Sequence, residues 1–270
     1  MSQIQNDEYI WSPAYIAQKQ ILQWLSDKYL QNAKDRKTIN IMTICCSSVN
    51  KDDTEPRIPS STKLALKAIE IAESIDSKYK IESKTYILDD MEFKHCEANY
   101  SMKWHYCTWP CRISQRMAAK WLADPLTNLY YELVDWCDIV IIATPIRRNN
   151  PSSLYYKLVE RLNCIENQKE VYGVSLIHNQ MCWGIIVWAQ DGAQNVMWNI
   201  MSVWSEMWFS FGKNSFVAFT AWWLRNDRTD LVPEQINDNI EFLNESIIDM
   251  LSSQIKTIEL RKNSESQDQR

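Results

Sequence analysis

Apolar residues recur along the chain in two alternating patterns. Stripes with a period of about 3.6 residues predict helices, and short continuous β-branched runs predict buried strands. The first stripe, Ile16, Ile21, Leu22, Leu25, Tyr29 and Leu30, predicts an amphipathic helix from about Pro13 to Ala33. Ile39 to Cys46 (INIMTICC) is a run of the kind buried on both faces of a parallel sheet. A polar loop, Ser47 to Pro59, follows. Ser60, Ser61 and Thr62 then offer capping hydroxyls to a helix whose apolar positions are Leu64, Ala65, Ala68, Ile69 and Ala72. Ile81 to Leu88 predicts a second strand, polar enough to sit at or near a sheet edge.

Met91 to Ser114 has no clean period and is expected to be an inserted loop, followed by a helical segment to about Trp136. Cys137 to Ala143 (CDIVIIA) is the strongest strand signal, stopped by Thr144 and Pro145 before a helix beginning near Pro151 or Ser152. Trp183 to Trp188 and Phe216 to Thr220 supply two more strands around a helix from about Ala193 to Phe211. A last helix is expected from about Pro233 to Leu260. The organisation expected is a helical extension over 1–37, one domain over 38–260 carrying an insertion at 91–114, and a disordered tail over 261–270. Strands alternating with helices imply right-handed crossovers, an α/β doubly wound parallel sheet with helices on both faces, and ligands outside the carboxyl ends of the strands. Function then falls to three loops, Cys46 to Thr62, Thr144 to Ser153 and Ala189 to Gln194.

Composition narrows the function classes. A chain of 270 residues suits one domain with insertions. A formal charge of −5 argues against nucleic acid as the main partner, because phosphate binding needs a basic face. No apolar run approaches the about 20 residues of a membrane span, and Met1 to Ile10 is polar, so a cytoplasmic protein is expected. The eight cysteines, several inside apolar strands, read as reduced thiols rather than a disulfide framework. Cys45 and Cys46 are adjacent on a strand and must point to opposite faces. Thirteen tryptophans against four glycines fit a flat ring site, and equally a bulky core or a subunit interface.

In the first loop, Ser47 and Ser48 follow the strand and Ser60, Ser61 and Thr62 open the helix, which makes either a phosphate site or simple N-capping. Neither GxGxxG nor GxxxxGK is present, so a dinucleotide Rossmann or P-loop reading loses its support. The run ATPIRRNNPSSLYYKLVERL after the best strand resembles the NAD(P)H-dependent FMN reductase and iron-sulfur flavoprotein branch of the flavodoxin-like superfamily. That resemblance covers about Thr38 to Thr220. It implies a five-stranded flavodoxin-like fold, bound FMN and NAD(P)H as co-substrate. It assigns Thr144, Pro145, Ile146, Arg147, Arg148, Asn149, Asn150 and Ser152 to the flavin ring, joined by Gln190, Asp191 and Gly192 of WAQDGAQ. Ser47, Ser48, Ser60, Ser61 and Thr62 correspond to the phosphate loop.

Two departures matter. The first loop begins Cys46-Ser47 where the family usually has Gly-Ser, and Arg147 and Arg148 replace aromatic residues that flank the ring. These arginines can stack on the flavin and favour its anionic reduced form, bind a nicotinamide-nucleotide phosphate, or pair with a surface carboxylate. The flavin carries the hydride chemistry, so no catalytic residue is named. Three histidines, His95, His105 and His178, give no Ser-His-Asp arrangement. The insertion adds Cys96, Cys107 and Cys111 with His95 and His105 nearby, a candidate iron-sulfur or zinc ligand set. The same segment reads otherwise as a packed loop, a dimer contact, or a substrate lid carrying Tyr100, Trp104, Tyr106 and Trp109.

The function expected is an FMN-dependent NAD(P)H oxidoreductase passing electrons to a quinone, flavin or other small acceptor. The alternatives are an iron-sulfur flavoprotein electron carrier and a cofactor-free binding subunit of the same fold. The partners expected are a small-molecule acceptor and further copies of the chain in a homodimer or homotetramer, with no nucleic acid and no membrane.

Overall fold

The computed structural model describes residues 12–48, 58–188, 192–220 and 240–267. Ser12 opens the first helix, its hydroxyl accepting from the Tyr15 N–H at 3.2 Å, with Pro13 at the first helical position. The chain runs α1 (Pro13–Asp35), β1 (Thr38–Cys45), α2 (Ser60–Ser74), β2 (Lys80–Ile87), α3 (Arg112–Ala118), α4 (Leu126–Tyr131), a π-helical turn (Glu132–Trp136) and β3 (Ile139–Pro145). It continues through α5 (Ser153–Tyr172), β4 (Met181–Trp188), α6 (Ala193–Glu206), β5 (Phe216–Thr220) and α7 (Ile240–Gln267). The strands form one all-parallel sheet in the order β2-β1-β3-β4-β5, the flavodoxin-like doubly wound arrangement.

The uninterrupted apolar runs are explained by burial on both sides of the sheet. Met42, Ile44, Val140, Ile142, Cys182 and Ile186 pack on one face against Leu22 and Tyr29 of α1, Leu158 and Leu162 of α5, and Val196 and Ile200 of α6. Ile39, Ile41, Ile139, Ile141, Trp183 and Ile185 pack on the other, against Leu64 and Ala68 of α2 and Ile247 and Leu251 of α7. Each such side chain contributes about 1.5–3 kcal/mol. Cys45 belongs to the second cluster and Cys46 to the first, as adjacent strand positions require. β2 is half exposed along its length and lies at the sheet edge. Gly184 in β4 admits the ring of Phe216, because a Cβ there would lie 2.5 Å from it.

Three elements differ from the sequence reading. The helical segment expected up to Trp136 is broken after Ala118, where Trp121 takes a left-handed φ of 59° and Leu122 bonds back to the Met117 carbonyl at 3.0 Å; the Asp124 carboxylate then turns inward to Arg161, Ser114 and the Leu126 N–H, and Pro125 caps a new helix. α6 stops at Glu206 rather than Phe211, because Trp208 takes a left-handed φ of 75° and Phe209 bonds back to the Trp204 carbonyl at 3.0 Å. Residues 261–267, expected as part of a disordered tail, belong to α7. Arg261 donates to the Asn179 carbonyl at 2.8 Å, and Lys262 donates to the carbonyls of Ala33 and Arg36 at 3.2 and 3.3 Å. Residues 233–239 and 268–270 lie outside the described residues.

At the amino ends of the strands, Asp138 just before β3 gathers neighbouring elements. It pairs with Arg36 at 2.9 Å, accepts from the Asn40 N–H at 2.9 Å and lies 3.9 Å from Lys262. Among the described residues, no helix is long and apolar enough to cross a membrane.

Candidate functional site at the strand-order reversal

Strand order reverses between β1 and β3. The chain leaves β1 for α2 on one face and β3 for α5 on the other, which opens a crevice beyond the carboxyl ends of both strands.

On its first wall, the Cys46 N–H continues the sheet by donating to the Ala143 carbonyl at 2.8 Å. Ser47 is buried and its hydroxyl bonds to that of Ser61, while Ser48 is exposed. The serines of α2 do not cap it. Pro59 is the N-cap and gives no side-chain cap bond, and Ser60, Ser61 and Thr62 occupy the first turn itself. The Thr62 hydroxyl is buried without a hydrogen-bond partner, facing the Cys45 thiol, which burial pushes up to about 11. A helix start with uncapped amides, three hydroxyls and the positive end of the dipole has the chemistry to receive an anion. Residues 49–57 of this loop lie outside the described residues.

The second wall is Thr144 to Ser152. Ser152 caps α5, accepting from the Tyr155 N–H at 3.2 Å, and donates to the Cys46 carbonyl, so it pins this loop to the first. Its own N–H donates to the Thr144 hydroxyl at 3.2 Å, and the buried Ile146 donates its N–H to the Val187 carbonyl at 3.2 Å. Arg147 and Asn150 then exchange backbone bonds of 2.7 and 3.0 Å around Arg148 and Asn149, both left-handed at φ 51° and 63°. Two successive left-handed residues form a tight type I′ turn, which costs a non-glycine residue such as Arg148 about 1 kcal/mol. All four side chains of the turn are exposed.

This strained turn is held by several contacts. Asn150 Nδ2 donates to the Arg148 carbonyl at 3.0 Å, the Tyr156 hydroxyl donates to Asn150 Oδ1 at 3.2 Å, and Asn199 Nδ2 donates to that hydroxyl at 3.3 Å. From the first turn of α6, Asn195 Nδ2 donates to the Asn149 carbonyl at 2.9 Å. Gly192, at φ 110°, starts α6 against the same residue; a Cβ there would lie 2.9 Å from Asn149 Cα. Glycine is required both by the conformation and by the approach.

Thus the sites expected in the three loops do meet: Ser152 joins the first two, and Asn149 joins the second to Gly192. Gln190 and Asp191 lie outside the described residues. Sequence reasoning missed Tyr156, Asn195 and Asn199. Their signal was the four-residue spacing from Ser152 to Tyr156 and from Asn195 to Asn199, which places each pair on one helix face.

Among the described residues no group of three or more His, Cys, Asp or Glu is arranged to hold an ion, Cys96, Cys107 and Cys111 of the insertion included. The segment packs along α5: Asn167 donates to the carbonyls of Trp104 and Cys107 at 2.8 and 3.0 Å, and Asn163 donates to Cys107 Sγ at 3.7 Å. At the rise of an α-helix, those anchors are about 16 Å or more along α5 from Ser152.

No family model matches the chain, and no curated protein matches it. Solved structures do. The structure of RosB with the bound intermediate 8-demethyl-8-formylriboflavin-5'-phosphate is similar over 84% of this chain and 82% of that one, with a TM-score of 0.60 at 16% identity. A flavone reductase is similar over 82% of this chain and 64% of its own, with a TM-score of 0.48 at 11% identity. An FMN-dependent NADH-azoreductase from Bacillus anthracis, in complex with FMN, is similar over 81% and 99%, with a TM-score of 0.47 at 10% identity. The likeness to RosB agrees with the strand order and the two-faced core, and on that ground this chain is a flavodoxin-like α/β protein.

Proposed function

We propose that this chain is an FMN-dependent oxidoreductase that takes electrons from NAD(P)H and passes them to a small acceptor such as a quinone or a free flavin. The observation that carries this reading is the buried, unpartnered Thr62 hydroxyl in an uncapped helix start, across the crevice from a rigid left-handed turn. A phosphate monoester satisfies the first and a flat ring suits the second. In this reading Ser47, Ser60, Ser61 and Thr62 with the first amides of α2 hold the phosphate. The Arg147–Asn150 turn and Gly192 place the ring edge. FMN, when bound, supplies the hydride acceptance, and the protein supplies position and electrostatics. Arg148 and Arg147 set positive charge beside the ring or meet the phosphates of the nicotinamide nucleotide. The same reading includes a cytoplasmic homodimer or homotetramer, supported by large exposed side chains such as Trp121, Trp24 and Trp198.

The test is a titration of the purified protein with FMN, followed by visible absorption and by NADH and NADPH oxidation. Stoichiometric FMN binding with turnover on either nucleotide supports the reading; a protein that FMN titration leaves colourless after filtration overturns it. A second reading, favoured by the modified flavin phosphate named for RosB, has the flavin as substrate. It predicts that recovered flavin changes mass during turnover, whereas a resident cofactor is recovered as FMN.

A further inference from the structure

Away from the crevice, β2 ends the sheet. All eight of its residues, Lys80 to Ile87, pair with β1, and no described strand pairs with its outer edge. The register with β1 sorts its side chains by face. Ile81 and Ile87 pack with the α2–α7 cluster and Tyr86 with the opposite one, so Lys80, Glu82, Lys84 and Tyr86 share one face and Ile81, Ser83, Thr85 and Ile87 the other. On the first face the charges run plus, minus, plus at alternate positions. Lys80 bonds to Glu82 at 2.9 Å, and Lys84 reaches Glu132 at 2.7 Å and lies 4.5 Å from the Trp136 ring centre. These charges stay open to a second molecule, since the side chains of Lys80, Glu82 and Lys84 are 76%, 39% and 43% exposed.

Charges on an edge strand ordinarily keep copies of a chain apart. Here their order does the opposite. A two-fold axis perpendicular to the sheet joins two edges antiparallel and keeps each face on its own side, so only positions of like parity stand opposite each other. Two such registers engage most of β2: an axis at Ser83 pairs residues 80–86, and an axis at Lys84 pairs residues 81–87. The second sets Lys84 against Lys84, a like-charge contact that destabilises a ladder. The first sets Glu82 against the partner's Lys84 and Lys84 against the partner's Glu82, with Lys80 opposite Tyr86 and Ile81 opposite Thr85. The strand ends agree with it. Asp90 and Glu92 line an open groove of about 410 Å³ at the carboxyl end of β2, and the axis at Ser83 brings the partner's Lys78 and the partner's Lys80 toward it.

We propose that the outer edge of β2 is the two-fold interface between two copies of this chain, which add their β2 strands to each other antiparallel with the axis at Ser83. The two five-stranded sheets then run on as one. This rests on the homo-oligomer part of the function proposed above, whose surface it names, and not on the binding of FMN. A ladder of seven residues is about 24 Å long and uses the outward backbone groups of β2, which supply affinity without regard to sequence. The crossed Glu82–Lys84 pairs supply the register and the choice of partner.

The experiment measures the mass of the full-length protein in solution by light scattering across a dilution series, with the urea midpoint as the control for folding. The unaltered protein should be a dimer, or a tetramer that the variants split into dimers. Glu82→Lys and Lys84→Glu each set like charges opposite one another at both crossed pairs, and each should weaken this association on the order of tenfold or more. An equal mixture of the two variants should restore it, because opposite charges then meet at both pairs; a folding defect would not be repaired by mixing. Hydrogen exchange on the unaltered protein decides the matter even if a variant folds poorly, since amides of β2 should exchange more slowly as the concentration rises. A monomeric unaltered protein would overturn both this interface and the homo-oligomer. An oligomer that Glu82→Lys leaves intact, or variants that stay apart when mixed, would overturn the β2 interface alone and leave the homo-oligomer to another surface. FMN titration of the separated variants reports on the flavin site independently of either result.

Discussion

Charged groups at the amino ends of the strands are matched to partners, whereas the carboxyl ends hold groups that the fold leaves open. Asp138 has Arg36, Lys262 and the Asn40 N–H around it, and Asn40 in turn donates to the Trp136 carbonyl at 2.9 Å. At the other end Thr62 has an orphaned hydroxyl, α2 has no side-chain cap, and Arg148 and Asn149 sit in left-handed backbone. One end is built for stability and the other gives some of it up. Unsatisfied and strained groups gathered in one crevice are what the proposed flavin site would use.

The largest effect that tests this contrast is at Asp138. Burial pushes its carboxyl up while Lys262 and Arg36 pull it back, so the charge is held at a cost that its partners offset. Asp138→Ala leaves two nearly buried cations without their carboxylate and should destabilise the fold by about 3 kcal/mol, read as a lower urea midpoint at unchanged slope. FMN affinity of the remaining folded protein should not move. A loss of flavin binding without loss of stability would reverse the assignment of the two ends.

The next effect belongs to Thr62. Thr62→Val keeps the shape and removes the orphan hydroxyl, so the urea midpoint should hold or rise slightly. If that hydroxyl bonds a phosphate, FMN affinity should fall about tenfold, equal to about 1.4 kcal/mol. Riboflavin, which lacks the phosphate, should bind both proteins equally. Equal FMN affinities would take Thr62 out of the site.

How much of this was legible beforehand follows from which interactions are local. The strands and their two-sided burial were readable because β-branched runs such as CDIVIIA report their surroundings directly. The hydroxyls of the first loop were readable as either phosphate ligands or helix caps, but not that Pro59 would take the capping position and leave Ser60, Ser61 and Thr62 inside the first turn. The inward turn of Asp124 between α3 and α4 was invisible, because its partner Arg161 lies on another helix, 37 residues away. The cysteines of the insertion offered a metal set as one alternative, yet the segment is held by Asn163 and Asn167, which lie in α5 and carried no signal of their own. Tyr156, Asn195 and Asn199 gain meaning only once the turn over 147–150 is left-handed.

Tyr156 gives a smaller effect. Asn150 spends its Nδ2 on the Arg148 carbonyl, so its Oδ1 faces Tyr156, whose hydroxyl must donate there and accept from Asn199. Tyr156→Phe breaks that relay and should cost about 1 kcal/mol in stability. In the FMN-bound protein it should also shift the flavin midpoint potential, because the turn carrying Arg147 and Arg148 loosens. An unchanged potential would mean that the relay serves folding alone.

The smallest expected effect is the pH response of His178, again at the amino ends, where it lines a small cavity with Asp138 and Lys262. The Ser26 hydroxyl donates to the Ser175 carbonyl at 2.7 Å, so at its 2.9 Å contact with His178 it must accept from Nε2, which fixes a neutral ring protonated on Nε2. Burial lowers the His178 pKa below 6.5, with Asp27 and Ser26 opposing. Between that lowered value and 6.5 the unfolded chain binds the extra proton and the folded one does not. Stability should therefore fall as pH drops through about 6.5 and level off once the folded protein also takes the proton. Asp138 titrates nearby with a raised pKa and contributes the opposite slope, so the informative quantity is the difference between the unaltered protein and His178→Asn, in which Asp138 cancels. That difference should shrink with falling pH while FMN affinity stays parallel in the two proteins. A difference that is flat across this range would show that the ring takes its proton as readily in the folded protein as in the unfolded chain, and that this end of the sheet tolerates an added cation after all.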